Sequence, residues 1–171
     1  MIDLSAKIRA IPDFPKSGIL FRDITTLLQD GPAFRQAVDQ LAELCAGTTF
    51  DLIVAPEARG FIMGTPLAYS LGKGFIPVRK AGKLPGKTRR ASYTLEYGED
   101  NLEIHEDAIS PGMRVLVVDD LLATGGTIRS TVDLVEGLGG VVVGVAFLIE
   151  LTELKGRDLL SGYPIHSLIK Y

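Results

Sequence analysis

Two adjacent carboxylates and a glycine-rich turn follow an apolar run in the second half of the chain. Residues 115–118 are apolar, Asp119 and Asp120 come next, and Thr124-Gly125-Gly126-Thr127 follows three residues later. Glycines let backbone N–H groups approach phosphate oxygens, and the helix predicted to start here adds partial positive charge. Aspartates can accept hydrogen bonds from neighbouring sugar hydroxyls or hold hydrated Mg²⁺. This order predicts a site for a phosphorylated sugar; the alternative is a turn with two solvated acids.

The turn differs from two common nucleotide-binding motifs. It lacks the Gly-Lys-Ser/Thr ending of a P-loop. It also lacks the Gly-x-Gly-x-x-Gly pattern of a dinucleotide-binding strand–turn–helix unit. We therefore expect neither of these two kinds of site here.

A second turn, Glu57-Ala58-Arg59-Gly60, carries another signal for an anion. The Arg59 guanidinium can bind a phosphate through two parallel hydrogen bonds, and Gly60 allows close backbone approach at a helix start. The alternative is a surface Arg–Glu pair on an ordinary turn.

Six cations lie within twelve residues, from Arg79 to Arg90. A charge run by itself is often a solvated face. Beside a highly charged anionic substrate, a mobile cationic flap that closes over the ligand and excludes water is the functional interpretation. The six residues are Arg79, Lys80, Lys83, Lys87, Arg89 and Arg90.

Strands and helices that could position these segments alternate along the chain. Strand–helix alternation is typical of an α/β domain with a mainly parallel sheet, and ligands bind beyond the carboxyl ends of such strands. The three segments should therefore meet on one side of the sheet. Apolar spacing predicts helices over residues 3–11, 32–45, 61–71 and 127–138, an irregular stretch over 12–23, strands over 51–55, 75–79, 115–118, 141–149 and 165–169, a loop over 80–90, and a hairpin of 93–97 and 102–105 around a turn at 98–101.

Length and composition are typical of one globular domain. The chain has 171 residues, 46% of them hydrophobic, and a net charge of −3, so it lacks the positive surplus of a general nucleic-acid binder. Cys45 is its one cysteine, which excludes an intrachain disulfide and favours a reducing cytoplasm. The sequence shows neither a signal peptide nor the roughly 18 consecutive apolar residues of a membrane span. We expect a cytoplasmic protein without nucleic-acid or membrane partners.

Residues 115–127 resemble the 5-phosphoribosyl-1-pyrophosphate (PRPP) binding motif of the type I phosphoribosyltransferases. Four further segments, residues 14–24, 57–61, 79–86 and 91–98, resemble the branch of that family that acts on adenine. The resemblance implies a single α/β domain over residues 1–171, with a mainly parallel central sheet flanked by helices. It also implies a small N-terminal hood over about residues 1–30 and a flexible flap and hairpin over about residues 80–106.

The same resemblance implies a reaction, in which adenine and PRPP give AMP and pyrophosphate in purine salvage. Mg²⁺ would be bound mainly through PRPP, without a dedicated set of protein ligands, and the protein would be a homodimer. The Glu57–Ala58 peptide bond would be cis. The implied contacts are Ala123, Thr124, Gly125, Gly126 and Thr127 for the 5′-phosphate; Asp119 and Asp120 for the ribose or metal-bound water; Glu57, Ala58, Arg59, Arg79, Lys80 and Lys83 for pyrophosphate; Leu20, Phe21 and Arg22 for adenine; Glu96 as catalytic acid or base; and Tyr97 in the flap.

Two other functions stay open at this point. A phosphoribosyltransferase for hypoxanthine or guanine would share most of these motifs, and adenine is favoured because the resemblance places backbone groups of Leu20 and Arg22 at the edge of the base. A PRPP-sensing regulator that binds DNA or RNA is the other alternative. RNA binding would require a basic face, yet outside the cationic flap the chain is acidic.

Overall fold

Seven strands form the central sheet of the protein, in a computed structural model that describes residues 1–95 and 98–171, and the side chains of residues 1–92 and 101–171. Short 3₁₀ helices cover Ser5–Lys7, Thr152–Leu154 and Gly156–Leu160. The other elements are β1 (Arg9–Pro12), β2 (Leu20–Asp23), α1 (Thr25–Gln29), α2 (Gly31–Cys45), β3 (Leu52–Pro56), α3 (Arg59–Ser70), β4 (Gly74–Lys80), β5 (Thr88–Leu95), β6 (Gly98–His105), β7 (Arg114–Leu122), α4 (Gly126–Gly137), β8 (Val141–Glu150) and β9 (Ile165–Lys170).

The strand order in the large sheet is β5-β6-β4-β3-β7-β8-β9. Strand β3 is parallel to β4 and β7, and β7, β8 and β9 continue in the same direction. Strand β6 is antiparallel to both β4 and β5. A separate two-stranded sheet pairs β1 with β2. The prediction of an α/β fold with a mainly parallel central sheet is confirmed.

Helices cover both faces of the sheet, and the sheet divides the core into two clusters. Every residue of β3 is buried, as is typical of a parallel strand covered on both faces. Successive side chains of a strand point to opposite faces, so Ile53 and Leu116 pack with α2 and α3 while Val54 and Val117 pack with α4. The central strands are thus fixed from both sides, which gives their carboxyl ends a rigid support.

Three local predictions are wrong. Residues 3–11 do not form a helix, because β1 pairs with β2, with Arg9 opposite Asp23, and this pairing also orders part of the stretch predicted to be irregular. The loop after β4 ends earlier than residue 90, since β5 begins at Thr88. Residues 98–101 are not a turn: they begin β6, and Gly98 lies opposite Leu95.

In the first two cases pairing with a distant residue, Arg9 with Asp23 and Thr88 with His105, overrode a local preference. In the third, the pairs of the hairpin continue as far as Leu95 and Gly98, beyond the strand ends that the sequence indicated. The other predicted helices and strands agree with the structure to within a few residues at their ends, whereas α1 and the short 3₁₀ helices were not predicted. Within the described residues, no helix combines the length and the apolar character that crossing a membrane requires.

Candidate active site

A small cavity lies at the carboxyl end of β7, where the sequence places the acid pair and the glycine-rich turn. Its volume is about 170 Å³, and it is lined by Arg59 and by residues 119–128. Strand β7 is next to β3 in the sheet, so the turn after β3 brings Arg59 to the same edge. The predicted convergence of these two segments is therefore present in the structure.

The glycine-rich turn supplies the start of α4. Gly125 has a φ of +89° and is the residue before the helix, and no described side chain caps it. The first N–H groups of a helix lack partners within the helix and carry partial positive charge. This turn therefore presents backbone donors of the kind that bind a phosphate group.

Asp119 and Asp120 lie beside this turn in the last part of β7. The Asp120 N–H donates to Asp119 Oδ1 at 2.8 Å, and Asp120 is only 2% exposed. Burial and the adjacent charge of Asp120 raise the pKa of Asp119 well above its usual range. Burial also raises the pKa of Asp120, although the charge of Arg59 opposes this.

Arg59 is the closest cation to the acid pair in the described structure. Its Nε lies 3.1 Å from Asp120 Oδ2, but the geometry is not that of a hydrogen bond, and the buried Oδ2 atom has no hydrogen-bond partner among the described residues. An unpaired buried acceptor is costly. A ligand hydroxyl or a metal-bound water would give this oxygen the donor it lacks.

Gly60 allows the start of α3 to approach β7 closely. A Cβ atom at Gly60 would lie 3.0 Å from both Asp119 Oδ1 and Pro56 Cδ, so a larger residue would displace the acid or the turn. The preceding Glu57–Ala58 peptide bond is cis, as the resemblance implied.

Glu57 connects this turn to the cationic residues at the end of β4. Its Oε1 accepts a hydrogen bond from the Lys80 N–H at 2.5 Å, and its Oε2 lies 3.4 Å from Arg79 Nη2. Arg79 Nε is buried without a hydrogen-bond partner among the described residues, which leaves a guanidinium donor for a ligand. Lys83 is exposed on the turn that follows.

Strand β2 reaches the site through Phe21. The ring centroid of Phe21 lies 5.4 Å from Arg59 Cζ, and Phe14 packs edge-on against it with centroids 5.1 Å apart. The neighbouring Arg22 stacks on Tyr171 with its Cζ 3.7 Å from the ring centroid. Leu20 is largely exposed. The structure thus brings an aromatic face close to the acid pair and its arginine.

Asp23 fixes the end of β2. It accepts hydrogen bonds from the Thr25 N–H and Oγ1 at 3.0 and 2.8 Å and from Arg9 Nε at 3.0 Å. The Thr25 N–H, followed by Arg9, lowers the pKa of Asp23 to about 2. Arg9 lies on β1, so this carboxylate links the two strands of the small sheet.

Gly156 is a supporting residue that the sequence analysis missed. A Cβ atom on Gly156 would lie 2.3 Å from the Ala123 carbonyl oxygen, and one on Gly125 would lie 2.7 Å from the Gly156 oxygen. The backbone at Gly156 therefore packs directly against the glycine-rich turn. Gly156 has no motif around it, and its contact joins distant parts of the chain, so no local signal could have predicted this role.

Comparison with known proteins identifies the family. A family model described as a phosphoribosyl transferase domain matches residues 25–164. An adenine phosphoribosyltransferase from Clostridium perfringens is 64% identical over 170 residues, which cover 99% of each chain. The chain belongs to the adenine phosphoribosyltransferase family, within the type I phosphoribosyltransferases.

Solved structures of adenine phosphoribosyltransferases have the same fold. The enzyme from Thermoanaerobacter pseudethanolicus is 58% identical with a TM-score of 0.97, and the match covers 99% of this chain and 98% of that one. The Saccharomyces cerevisiae enzyme, complexed with an imino-altritol bisphosphate and adenine, is 41% identical with a TM-score of 0.91, covering 97% and 96%. The named relatives support the adenine branch of the family and not the 6-oxopurine alternative.

Two residues with predicted roles in this adenine phosphoribosyltransferase family member lie outside the described residues. These are Glu96, the expected acid or base, and Tyr97. The described ends of β5 and β6, Leu95 and Gly98, pair with one another on either side of them. Their roles stay predictions.

Proposed function

We propose that this chain transfers the phosphoribosyl group of PRPP to adenine, which gives AMP and pyrophosphate. One observation carries the proposal: a helix start, a buried acid pair and Arg59 surround one cavity, with the Phe21 ring beside that arginine. The helix start matches the 5′-phosphate, and the acid pair matches the ribose. Arg59 matches the leaving pyrophosphate, and the Phe21 ring matches the base. The names of the relatives support the same reaction.

In this proposal, residues 123–127 hold the 5′-phosphate through backbone N–H groups and threonine hydroxyls. Asp120 Oδ2, which has no hydrogen-bond partner among the described residues, accepts a hydrogen bond from a ribose hydroxyl. Asp119 lies beside it. Holding the sugar at its phosphate and its diol fixes C1 of the ribose relative to both the base and the leaving group. Much of the acceleration would come from this positioning.

The leaving pyrophosphate is assigned to the two turns joined by Glu57. Ala58 and Arg59 provide one side, and Arg79, Lys80 and Lys83 the other. Glu57 itself makes contacts that hold the backbone of Lys80 and the side chain of Arg79, so we assign it the support of this site. Positive groups fixed in place stabilise the charge that develops as the C1–oxygen bond breaks.

The base lies against Phe21 in this proposal, and backbone groups of Leu20 and Arg22 read its edge. The bond from the purine nitrogen to C1 forms as the bond from C1 to the pyrophosphate oxygen breaks. The nitrogen then loses its proton, and we assign Glu96 as the group that accepts it. In the reverse reaction the same carboxyl group donates that proton to the departing base. Tyr97 is assigned to the closing flap.

The residues around the cavity also fit Mg²⁺. The Asp120 carboxylate has a buried oxygen without a hydrogen-bond partner among the described residues, and carboxylates and water are ligands that Mg²⁺ prefers. The described residues contain no cluster of three or more His, Cys, Asp or Glu that could hold a metal, so Asp119 and Asp120 would hold a hydrated ion whose other ligands come from the substrate. When bound, Mg²⁺ neutralises negative charge on pyrophosphate.

We further propose a cytoplasmic homodimer of single-domain subunits, each with its hood over about residues 1–30 and its flap and hairpin over about residues 80–106. Ile62 and Tyr69, seven positions apart on α3, are exposed, which supports burial of this helix face against a second copy. Light scattering should give the mass of a dimer. The mass of a monomer would contradict this part of the proposal.

Formation of AMP from adenine and PRPP, measured with and without Mg²⁺, tests the proposed function. Parallel reactions with hypoxanthine and guanine test the choice of base. We expect AMP formation that depends on Mg²⁺ and much lower rates with the two 6-oxopurines. Absence of AMP formation, together with a salt-dependent mobility shift of RNA, would instead favour the regulator.

A further inference from the structure

Glu103 lies at the middle of the antiparallel part of the sheet. It belongs to β6 and is opposite Arg79 of β4 on one side and Arg90 of β5 on the other. The residue is only 4% exposed. A buried carboxylate at this position must find donors for its oxygens, because an unpaired buried charge is strongly destabilising.

Both oxygens of Glu103 have donors. Oε1 accepts from Arg90 Nε and Nη2 at 3.1 and 2.7 Å, and Oε2 accepts from the Gly82 N–H at 3.0 Å. Arg90, followed by the Gly82 N–H, lowers the pKa of Glu103. The carboxylate therefore joins a cation on β5 to the backbone of the turn that follows β4.

This turn carries one predicted pyrophosphate contact, Lys83, and directly follows two others, Arg79 and Lys80 at the end of β4. Its backbone is held by the Ala81 N–H on the Asn101 carbonyl at 3.0 Å and by the Lys83 N–H on the Lys80 carbonyl at 3.2 Å. Gly82, at its tip, has a φ of +78°. Glu57 holds one end of the turn and Glu103 holds its tip, so a carboxylate from the turn after β3 and one from β6 together fix this cationic turn.

We propose that Glu103 is a positioning residue for pyrophosphate: its contact with Gly82 holds the turn that carries Lys83 and that directly follows Arg79 and Lys80, so that the three cations face the leaving group together. The inference depends on the proposed function, since it assigns a task within the pyrophosphate site. Arg90 neutralises Glu103, so the carboxylate can hold the turn without repelling an anion nearby. The 5′-phosphate turn, at the end of β7, does not depend on this contact.

Charge alone predicts the opposite effect. If Glu103 acted only through its field, its removal would strengthen binding of an anion nearby. If it positions the turn, its removal weakens pyrophosphate binding and leaves AMP binding unchanged, because AMP carries no pyrophosphate. A general loss of structure would weaken both.

Two double variants of equal net charge separate these cases. Arg90→Leu/Glu103→Leu removes the ion pair together with the acceptor for Gly82, whereas Arg90→Leu/Glu103→Gln keeps a side-chain carbonyl that can accept from Gly82. Calorimetric titration with magnesium pyrophosphate and, separately, with AMP is the measurement. We expect the dissociation constant for pyrophosphate to rise about 10- to 150-fold in the leucine variant, as for loss of a hydrogen bond to a charged group, and to return close to the wild-type value in the glutamine variant.

Equal pyrophosphate affinity in the two double variants, or a matching loss of AMP affinity in the leucine variant, would overturn the proposal. Should the leucine variant not fold, the same titration on Glu103→Ala tests the proposal. Weaker pyrophosphate binding than in the wild type supports a positioning role for Glu103, and tighter binding contradicts it. Failure of the wild-type protein to bind pyrophosphate would instead count against the proposed function itself.

Discussion

The guanidinium carbon of Arg59 lies 5.4 Å from the centre of the Phe21 ring. The same side chain places its Nε 3.1 Å from Asp120 Oδ2. One arginine thus contacts both the aromatic face proposed for the base and the carboxylate proposed for the sugar. In the proposed function, the base on Phe21 therefore lies beside the reacting carbon of the sugar.

Replacing Phe21 with alanine should weaken adenine binding selectively. Stacking of a base on an aromatic ring contributes about 1–3 kcal/mol, so we expect KM for adenine to rise roughly 5- to 100-fold. The affinity for PRPP measured on the same variant is the internal control and should change little. An unchanged KM for adenine would remove Phe21 from the base site.

Asp120→Asn should separate binding from stability. Burial raises the pKa of Asp120, so a neutral amide suits the unliganded site and the unfolding midpoint should not fall. The amide cannot serve the ribose or a hydrated cation as the carboxylate does. PRPP affinity in the presence of Mg²⁺ should drop about tenfold or more, as for a charge-assisted hydrogen bond.

Asp107→Asn is the control for this prediction. Asp107 is exposed and does not line the cavity, so its replacement makes the same change of charge away from the site. Calorimetry and thermal unfolding on the two variants are the measurements. Equal loss of PRPP affinity in both would mean that only overall charge matters.

Gly156→Ala should displace the glycine-rich turn, residues 124–127, through its contact with Ala123. The added Cβ would lie 2.3 Å from the Ala123 carbonyl oxygen, so the backbone of one of the two segments must move. We expect the affinities for AMP and PRPP to fall together, since both carry the 5′-phosphate. Gly47→Ala, where no described atom lies within 4 Å of the new Cβ, should bind both ligands normally.

Asp23→Asn should lower stability in a pH-dependent way. The folded-state pKa of Asp23 is about 2, against an ordinary value of 3.8. A lowered pKa gives stability that is present above about pH 4 and is lost as the pH falls through about 2. We expect the variant to be less stable by about 1–2 kcal/mol at pH 7.

The difference between wild type and Asp23→Asn should shrink as the pH falls from 4 to 2, and urea unfolding at several pH values measures it. Asp39→Asn is the control, because its exposed pair with Arg35 is 3.9 Å long and contributes little. A difference that stays constant over this range would show that the Asp23 charge does not stabilise the small sheet.

Glu96→Ala should slow turnover while PRPP binding stays nearly intact. Loss of a general acid or base costs on the order of 10²–10⁴ in rate, and the proposed PRPP contacts lie on other segments. Steady-state kinetics combined with PRPP titration measures both quantities. Unchanged turnover would exclude Glu96 from the mechanism.

The sequence predicted the parts of the site that follow single strands. Asp119 and Asp120 come directly after an apolar strand core, and Arg59 follows another. Parallel strands end at one edge of a sheet, so these segments could be placed together without knowing the neighbours of each strand. The family resemblance depends on the same continuous stretches.

Contacts between distant segments could not be predicted in this way. Pairing of β1 with β2 replaced an expected helix, and pairing of Thr88 with His105 replaced the end of an expected loop. Arg90 belonged to a run of cations that could have been solvated, yet it pairs with the buried Glu103. Each outcome depends on which strand lies alongside, and local composition carries little information about that.

The sequence by itself determined the family and the edge of the sheet at which the acid pair, the glycine-rich turn and Arg59 meet, and it predicted which of these hold a phosphate, a diol and a leaving anion. Only the tertiary structure decided how those groups are supported, through Gly156 behind the phosphate turn and Glu57 and Glu103 beside the cationic turn. The physical reason is range. A motif is written in consecutive residues, whereas its support comes from backbone atoms and buried charges that meet only after the sheet has formed.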